Sequence, residues 1–375
     1  MSGDIILITM NNDLFYKIAL TFIPNVGAVL AKNLVAYCGS AQAVFEQTEK
    51  ELLSIPDIGP VTARSILEQT VFRRAETELE RVINNNLDVL FFTDEAYPYR
   101  LKQCHDAPIL IYKKGNIDLN KHRYLAVVGT RNASAYGKKL TTDLIDDCID
   151  KDIVIVSGMA FGIDIAAHRQ AVKNKIPTIA VLGHGLDIFY PAQHKETALA
   201  MLDNGCWLSE YPFETMPDRE NFPSRNRIVA GMCDAVVVVE AAKKGGALIT
   251  ADIAHSYARD VFAYPGRIGD TFSEGCNNLI RFNQGSLITS AADIFRLMNW
   301  DMDDVKSKKK STQKSLFVEL SSEEEQILKA CQLAKSMDEI AIHAHLPISK
   351  TASILFSLEM KGLIRALPGK EFELI

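Results

Sequence analysis

The sequence predicts an α/β protein: a doubly wound, mostly parallel sheet with a small helical region before it and a second small domain after it. Three observations carry this. Apolar runs at Leu125–Val128, Ile153–Val156, Thr178–Leu182 and Ala235–Val239 are separated by helix-length segments, the pattern of strands buried on both faces. Each run leads into small residues or cations, which places those residues at the carboxyl edge of the sheet, where open α/β folds bind ligands. Composition then breaks at Asp301–Lys314, a charged, Ser/Lys-rich stretch nearly free of apolar residues that reads as a linker. The expected organisation is a helical domain over 1–75, a sheet domain over 76–300, a linker over 301–318 and a C-terminal domain over 319–375.

Bulk properties bound the function. The chain has 375 residues, 47% of them hydrophobic, enough for two or three domains with a buried core. Mean hydropathy is near zero and no apolar stretch approaches membrane-spanning length, so a soluble, cytoplasmic protein with no membrane partner is expected. Seven scattered cysteines without a C-x-x-C pair fit reduced core thiols and argue against a zinc site; no metal is expected. The net charge of −6 means that any nucleic acid must be met by a local positive groove.

Within the first domain, Ile23-Pro24-Asn25-Val26-Gly27 through Lys32 reappears as Ile55-Pro56-Asp57-Ile58-Gly59 through Arg64. Each copy is a turn, a glycine and an apolar helix with a cation five positions past the glycine. The pair resembles helix-hairpin-helix motifs, whose glycine turn offers backbone N–H groups to a nucleic-acid phosphate. Two readings stay open: a DNA contact, or a helical domain that only packs on its neighbour. Residues 76–122 bridge to the sheet with an amphipathic helix, a strand-like Val89–Phe92 and a second short apolar run at Ile109–Tyr112.

The central motifs suit phosphates. Gly129-Thr130-Arg131-Asn132 forms a tight strand-to-helix turn with an arginine able to clamp a phosphate. Ser157-Gly158-Met159-Ala160 is a small-residue loop entering a helix that carries Asp164 and His168. Those two share a helix face, yet an acid near a helix N-terminus and an orienting histidine explain them without catalysis, so no catalytic residue is assigned. Phe222-Pro223-Ser224-Arg225-Asn226-Arg227, with Arg219 upstream, offers cations and an aromatic face suited to a sugar–phosphate chain with a stacked base. Arg225 and Arg227 cannot point the same way from one helix turn, so one is expected on ligand and the other tied internally to an acid. Lys244-Gly245-Gly246 opens another helix and forms a second anion-receiving turn. Neither a G-x-G-x-x-G fingerprint nor a P-loop occurs, so no nucleotide cofactor is expected.

At the C-terminal end, Ser322-Glu323-Glu324-Glu325 reads as a capping box. Helices over Met337–Ala344 and Pro347–Met360 and a two-stranded hairpin follow, the winged-helix arrangement. Residues 319–375 hold six Lys/Arg against nine Asp/Glu, which favours a protein-contact role over strong duplex binding.

Taken in order, Val128-Gly129-Thr130-Arg131, Ser157-Gly158-Met159-Ala160, Gly162-Ile163-Asp164, Ala167-His168, Gly185-Leu186-Asp187 and Tyr190-Pro191 resemble the DNA-processing protein DprA (Smf) family. So do Phe222-Pro223-x-Arg225-Asn226-Arg227-Ile228, Glu240-Ala241, Leu248-Ile249-Thr250-Ala251 and Val261–Gly266, across about 95–295. The resemblance implies an extended Rossmann-like domain that forms a homodimer, binds single-stranded DNA and brings the RecA recombinase to incoming strands in natural transformation. It implies DNA contacts at Arg131, the Ser157-Gly158 turn, Arg219 with Phe222, and Lys244 with Gly246; Gly129, Thr130, Met159, Arg225, Asn226 and Gly245 complete the expected interface. Two departures stand out: Gly245-Gly246-Ala247 where the family often has Ser-Gly-Ser, and His184 where a small or hydroxyl residue is common. The alternative is a nucleotide-binding or nucleotide-hydrolysing enzyme on the same fold. The Pro-Gly-Gly-x-Gly-Thr-x-x-Glu pattern of the phosphoribohydrolases has no counterpart at Lys244–Leu248.

Overall fold

A strand covered on both sides must find apolar partners on each face in turn. The computed structural model, which describes residues 2–301, 321–331, 336–361, 363–367 and 371–374, shows this alternation through its central sheet. From Thr178–Leu182, for example, Ile179 and Val181 enter one apolar cluster while Ala180 and Leu182 enter another on the opposite face. Apart from residue 301, the linker expected over 301–318 lies outside the described residues, as does the hairpin turn at Gly369.

Among the described residues the sheet has nine strands: β1 (Asp88–Phe91), β2 (Leu110–Lys114), β3 (Arg123–Val128), β4 (Ile153–Ser157), β5 (Thr178–Leu182), β6 (Cys206–Ser209), β7 (Ala235–Val238), β8 (Asp260–Ala263) and β9 (Ser286–Leu287). Their spatial order is β1-β2-β6-β5-β4-β3-β7-β8-β9. The run from β6 to β9 is parallel, and β1 and β2 extend it as antiparallel strands. The chain order reverses beside β3, whose neighbours β4 and β7 are reached by winding in opposite directions. That is a topological switch point, and the loops after β3 and β7 diverge there to leave a crevice.

The helices sort by face. Among them, α1 (Ser2–Thr21), α2 (Ala28–Cys38), α3 (Ala41–Glu46), α4 (Glu49–Leu53), α5 (Pro60–Leu67) and α6 (Phe72–Asn84) form the helical region. After the short α7 (Tyr99–Lys102), α8 (Ala135–Asp146) and α9 (Ile163–Lys173) pack on each other, followed by α10 (Lys195–Ala200). On the sheet side that holds Ile179 and Val181, α11 (Asn221–Gly231) and α12 (Gly246–Ser256) pair, and α13 (Glu274–Arg281) and α14 (Ala291–Leu297) complete the unit. The helical region does not have a core of its own. Ile18, Leu34, Leu52, Ile66 and Val82 belong to the same buried cluster as Tyr112, Ala180, Leu182 and Trp207 of the sheet. Met1–Met298 accordingly forms one compact unit.

The two helix-hairpin-helix copies share one backbone geometry. Gly27 and Gly59 precede α2 and α5 without a side-chain cap, and Asn25 and Asp57 both sit at φ 64°. Their cations differ. Lys32 is half-buried near Arg227 and Asp106, and burial followed by the Arg227 charge lowers its pKa, whereas Arg64 is exposed.

The second unit spans Asn299–Ile375. Helices α15 (Ser322–Ala330), α16 (Met337–His343) and α17 (Ile348–Met360) and the antiparallel pair β10 (Ile364–Leu367) and β11 (Glu371–Leu374) close over Ile327, Ile340, Leu355 and Phe372. The capping box is one residue earlier than residue order suggests. Ser321 is the N-cap and Glu324 its partner. Both lysines of the α17 region are tied to α15, Lys350 to Glu323 and Lys361 to Glu324 at 2.6 Å. Ile348, Phe356 and Met360 are left exposed along α17, four residues apart or a multiple of it.

Candidate nucleic-acid interface

The parallel strands all end at one edge, and the crevice beside β3 there is a cleft of about 660 Å³. It gathers Gly129, Thr130, Arg131, Gly158, Arg219, Phe222, Arg225, Asn226, Lys244, Gly245 and Gly246, residues drawn from segments up to 117 positions apart. Local chemistry explains how each loop is held.

Close packing requires glycine at the first turn. A Cβ on Gly129 would lie 2.4 Å from Ile163 Cγ1 and 3.0 Å from the Glu240 carbonyl. Glu240, a buried acid just past β7, staples the loop that follows. Its carbonyl accepts the Thr130 N–H at 2.7 Å, and its carboxylate accepts the Ser134 N–H at 2.9 Å and the Ser134 hydroxyl at 2.5 Å. The loops after β3 and β7 are thereby joined. In the sequence Glu240 stands out only as a family marker; a lone acid at the end of an apolar run is the signal that could have singled it out.

The cleft floor is a buried arginine with a buried acid beside it. Arg225 is 4% exposed, and its guanidinium donates to the Gly158 carbonyl at 2.6 Å and to the Val181 carbonyl, bridging the ends of β4 and β5. Asp164, beside it, accepts the Gly158 N–H at 3.1 Å. Burial pushes the Asp164 carboxyl up and the Arg225 charge opposes that; burial pushes Arg225 down to about 10, so it stays cationic at neutral pH. Below them His168 is fully buried, its Nδ1 2.8 Å from the Thr178 hydroxyl, and burial pushes its pKa down to about 3. His184 is buried too and shifted down by the same cause.

Arg227 is the arginine tied internally, to the Asp106 carbonyl at 2.7 Å and the Glu210 carboxylate, while Arg225, largely buried, still lines the cleft. The structure corrects two other expectations. Ser157 is fully buried and donates its hydroxyl to the Val127 carbonyl at 2.6 Å, so it holds β3 against β4 and offers nothing to the cleft. Met159 is buried behind Phe222 in a small hollow with Tyr190 and lies outside the cleft lining. These side-chain directions depend on tertiary packing and leave no mark in residue order.

The rim has a different character. Arg131, Arg219 and Lys244 are exposed, and none of the three forms an ion pair among the described residues. The Arg131 guanidinium lies 5.4 Å from the centre of the Phe222 ring, and Phe222 stacks on Tyr190 at 5.9 Å with 26° between planes. Opposite them α12 starts at Gly246 after an uncapped Gly245, leaving its first N–H groups free to meet an anion. Asn226 donates to the Gly246 carbonyl at 3.3 Å and holds this turn against α11. Cations, free N–H groups and an aromatic stack around an open crevice can hold phosphates and a base together. No cluster of three or more metal-ligating side chains occurs among the described residues, and no described helix is long and apolar enough to cross a membrane.

Most of the chain is similar to known proteins. A family described as DNA recombination-mediator protein A matches residues 88–299, a helix-hairpin-helix motif matches 18–76, and a DprA winged helix domain matches 315–370. The DNA processing protein DprA of Streptococcus pneumoniae is 39% identical over 251 residues, which is 66% of this chain and 88% of that protein. The X-ray structure of the S. pneumoniae protein superposes with a TM-score of 0.65 at 35% identity, covering 75% of this chain and 97% of that one. The structure of DNA processing protein A from Helicobacter pylori, described for its single-stranded DNA binding mode, gives 0.52 at 29% identity over 57% of this chain and 96% of that one.

Proposed function

This chain belongs to the DNA recombination-mediator protein A (DprA/Smf) family, and from that premise we propose that it binds single-stranded DNA at the carboxyl edge of its sheet and delivers it to the RecA recombinase during natural transformation. One observation carries the binding step: three exposed, unpaired cations, Arg131, Arg219 and Lys244, surround the Phe222–Tyr190 stack in one cleft. Phosphates meet the cations and the α12 N-terminus, and a base meets the aromatic face. Such contacts are sequence-tolerant and salt-sensitive.

The action is positioning rather than bond-making. Of the two groups best suited to proton transfer, His168 is fully buried against Thr178, and Asp164, which lines the cleft, is 7% exposed with its carboxylate accepting the Gly158 N–H beside the Arg225 charge. A homodimer fits the far edge of the sheet, where β9 has one strand neighbour and Phe282 and Leu287 are 61% and 48% exposed. Joining two clefts raises avidity through effective concentration. The winged helix suits a protein contact, because Lys350 and Lys361 are paired and α17 presents an apolar stripe.

The test is a fluorescence-anisotropy titration with labelled single- and double-stranded DNA of one length across a salt series. Arg131→Ala is expected to weaken single-strand binding about 10-fold, in the range of about 1–3 kcal/mol for a charge-assisted contact, with the melting temperature unchanged. Strand-indifferent binding, or an affinity untouched by the substitution, would move the assignment to a nucleotide ligand.

A further inference from the structure

A second groove adjoins the cleft on the opposite face of the sheet. It lies along α8 and α9, has a volume of about 680 Å³, and shares Arg131 with the cleft. Three further cations line it: Lys138 on α8, and Arg169 and Lys173 on α9. Arg169 and Lys173 are one helical turn apart and so extend from the same side of α9. All three are exposed, none forms an ion pair among the described residues, and no carboxylate lines the groove. Asp146 stands near one end, its carboxylate accepting from Gln170 and from Asn174 at 2.6 Å, with the Lys173 charge adding a smaller effect. Phe161, 43% exposed, stands in the wall beside Arg131 with its ring 4.9 Å from that of His194.

In a chain of net charge −6, a run of four unpaired cations without an acid among them is a local departure that calls for an anionic occupant. Continuity identifies its class. Arg131 belongs to both hollows, so an occupant of one is handed to the other at a single side chain. An isolated anion would need only one of the two; a polyanion fills both.

We propose that the bound single strand does not end in the strand-end cleft but crosses the sheet edge over Arg131 and continues along the α8–α9 groove, where Lys138, Arg169 and Lys173 take successive phosphates. This rests on the single-strand reading of the cleft and adds to it a second, chain-length-dependent subsite. Phe161 supplies an aromatic surface at the crossing, and the charged side chains lining the groove beyond it, Lys138, Arg169 and Lys173, are all cations. The cleft therefore grips base and backbone, while the groove tracks backbone alone.

The experiment uses the full chain with fluorescein-labelled oligothymidylates of about 4 and about 16 nucleotides, bracketing ordinary single-strand site sizes. In the triple variant Lys138→Ala, Arg169→Ala, Lys173→Ala, affinity for the longer oligomer is expected to fall at least about 10-fold. Its log–log salt slope should shrink by about 2, roughly 0.7 for each phosphate no longer neutralised, and the short oligomer should bind as before. The charge-keeping variant Lys138→Arg, Arg169→Lys, Lys173→Arg should restore the longer oligomer. Equal weakening at both lengths, or an unchanged longer oligomer, would overturn the groove. Arg131→Ala separates the two readings: if it affects neither length, the strand-end cleft itself is misassigned and the groove falls with it.

Discussion

The floor and the rim of the cleft hold the same functional group in opposite employment. Arg225 and Arg131 both line it, yet Arg225 is 4% exposed and bound to two carbonyls beside Asp164, while Arg131 is exposed and unpaired over Phe222. A buried guanidinium must be satisfied mainly inside the protein, and the donors it spends there are closed to a ligand. An exposed one costs folding little and keeps its charge for a partner. Accessibility, rather than residue type or motif membership, separates the cations that build this site from those that use it.

The sharpest way to break that division is at the floor. Arg225→Ala leaves Asp164 buried without its counter-charge and strips donors from Gly158 and Val181. A stability loss of about 3–5 kcal/mol is expected for leaving a buried charge uncompensated, read by urea denaturation. A loss under about 1 kcal/mol, the scale of an exposed ion pair, would place Arg225 with the rim.

The reverse experiment is Phe222→Ala. It should cost about 1–3 kcal/mol of single-strand affinity, the usual worth of one stacked base, and leave the urea midpoint nearly in place. Should the midpoint fall while affinity holds, the aromatic stack belongs to the fold.

The finest distinction is by pH. His168 is buried beneath the floor, and burial holds its folded-state pKa near 3, below the ordinary histidine value. A group depressed on folding contributes stability above its unfolded pKa, and that contribution is lost as pH falls toward the folded value. Between pH 7 and 6 His168 alone should remove roughly 0.7 kcal/mol of stability, and His168→Gln should flatten that part of the slope. His184 and His194, shifted down mainly by burial as well, leave a residual slope. An affinity that fell in step with stability would mean that floor and rim are not separable.

Much of this was legible in residue order because it rests on local pattern. The Val/Ile runs of β3, β4, β5 and β7 announce two-sided burial, and the glycines and cations that follow them lie at the edge where parallel strands end. Strands β6 and β9 went unseen because four and two residues carry too little periodicity to register. The bridging runs of β1 and β2 were visible, but nothing local says that they join the sheet antiparallel. The capping box slipped by one for a plain reason: Ser321 and Ser322 each have a glutamate three residues on, and only the backbone selects Glu324. The fates of Arg225 and Arg227 were illegible, since neighbouring strand ends and loops decide where those side chains turn.

The Glu240 staple has a consequence for how a strand is held. Because one residue fastens the turn after β3 to the end of β7, the two edges of the crevice are set in place as the chain folds. A strand arriving there meets donors already aligned, and little loop entropy remains to be given up at the moment of binding. Encounter is then governed by charge and diffusion, and the lifetime of the complex by how many fixed contacts must open together before the strand can leave.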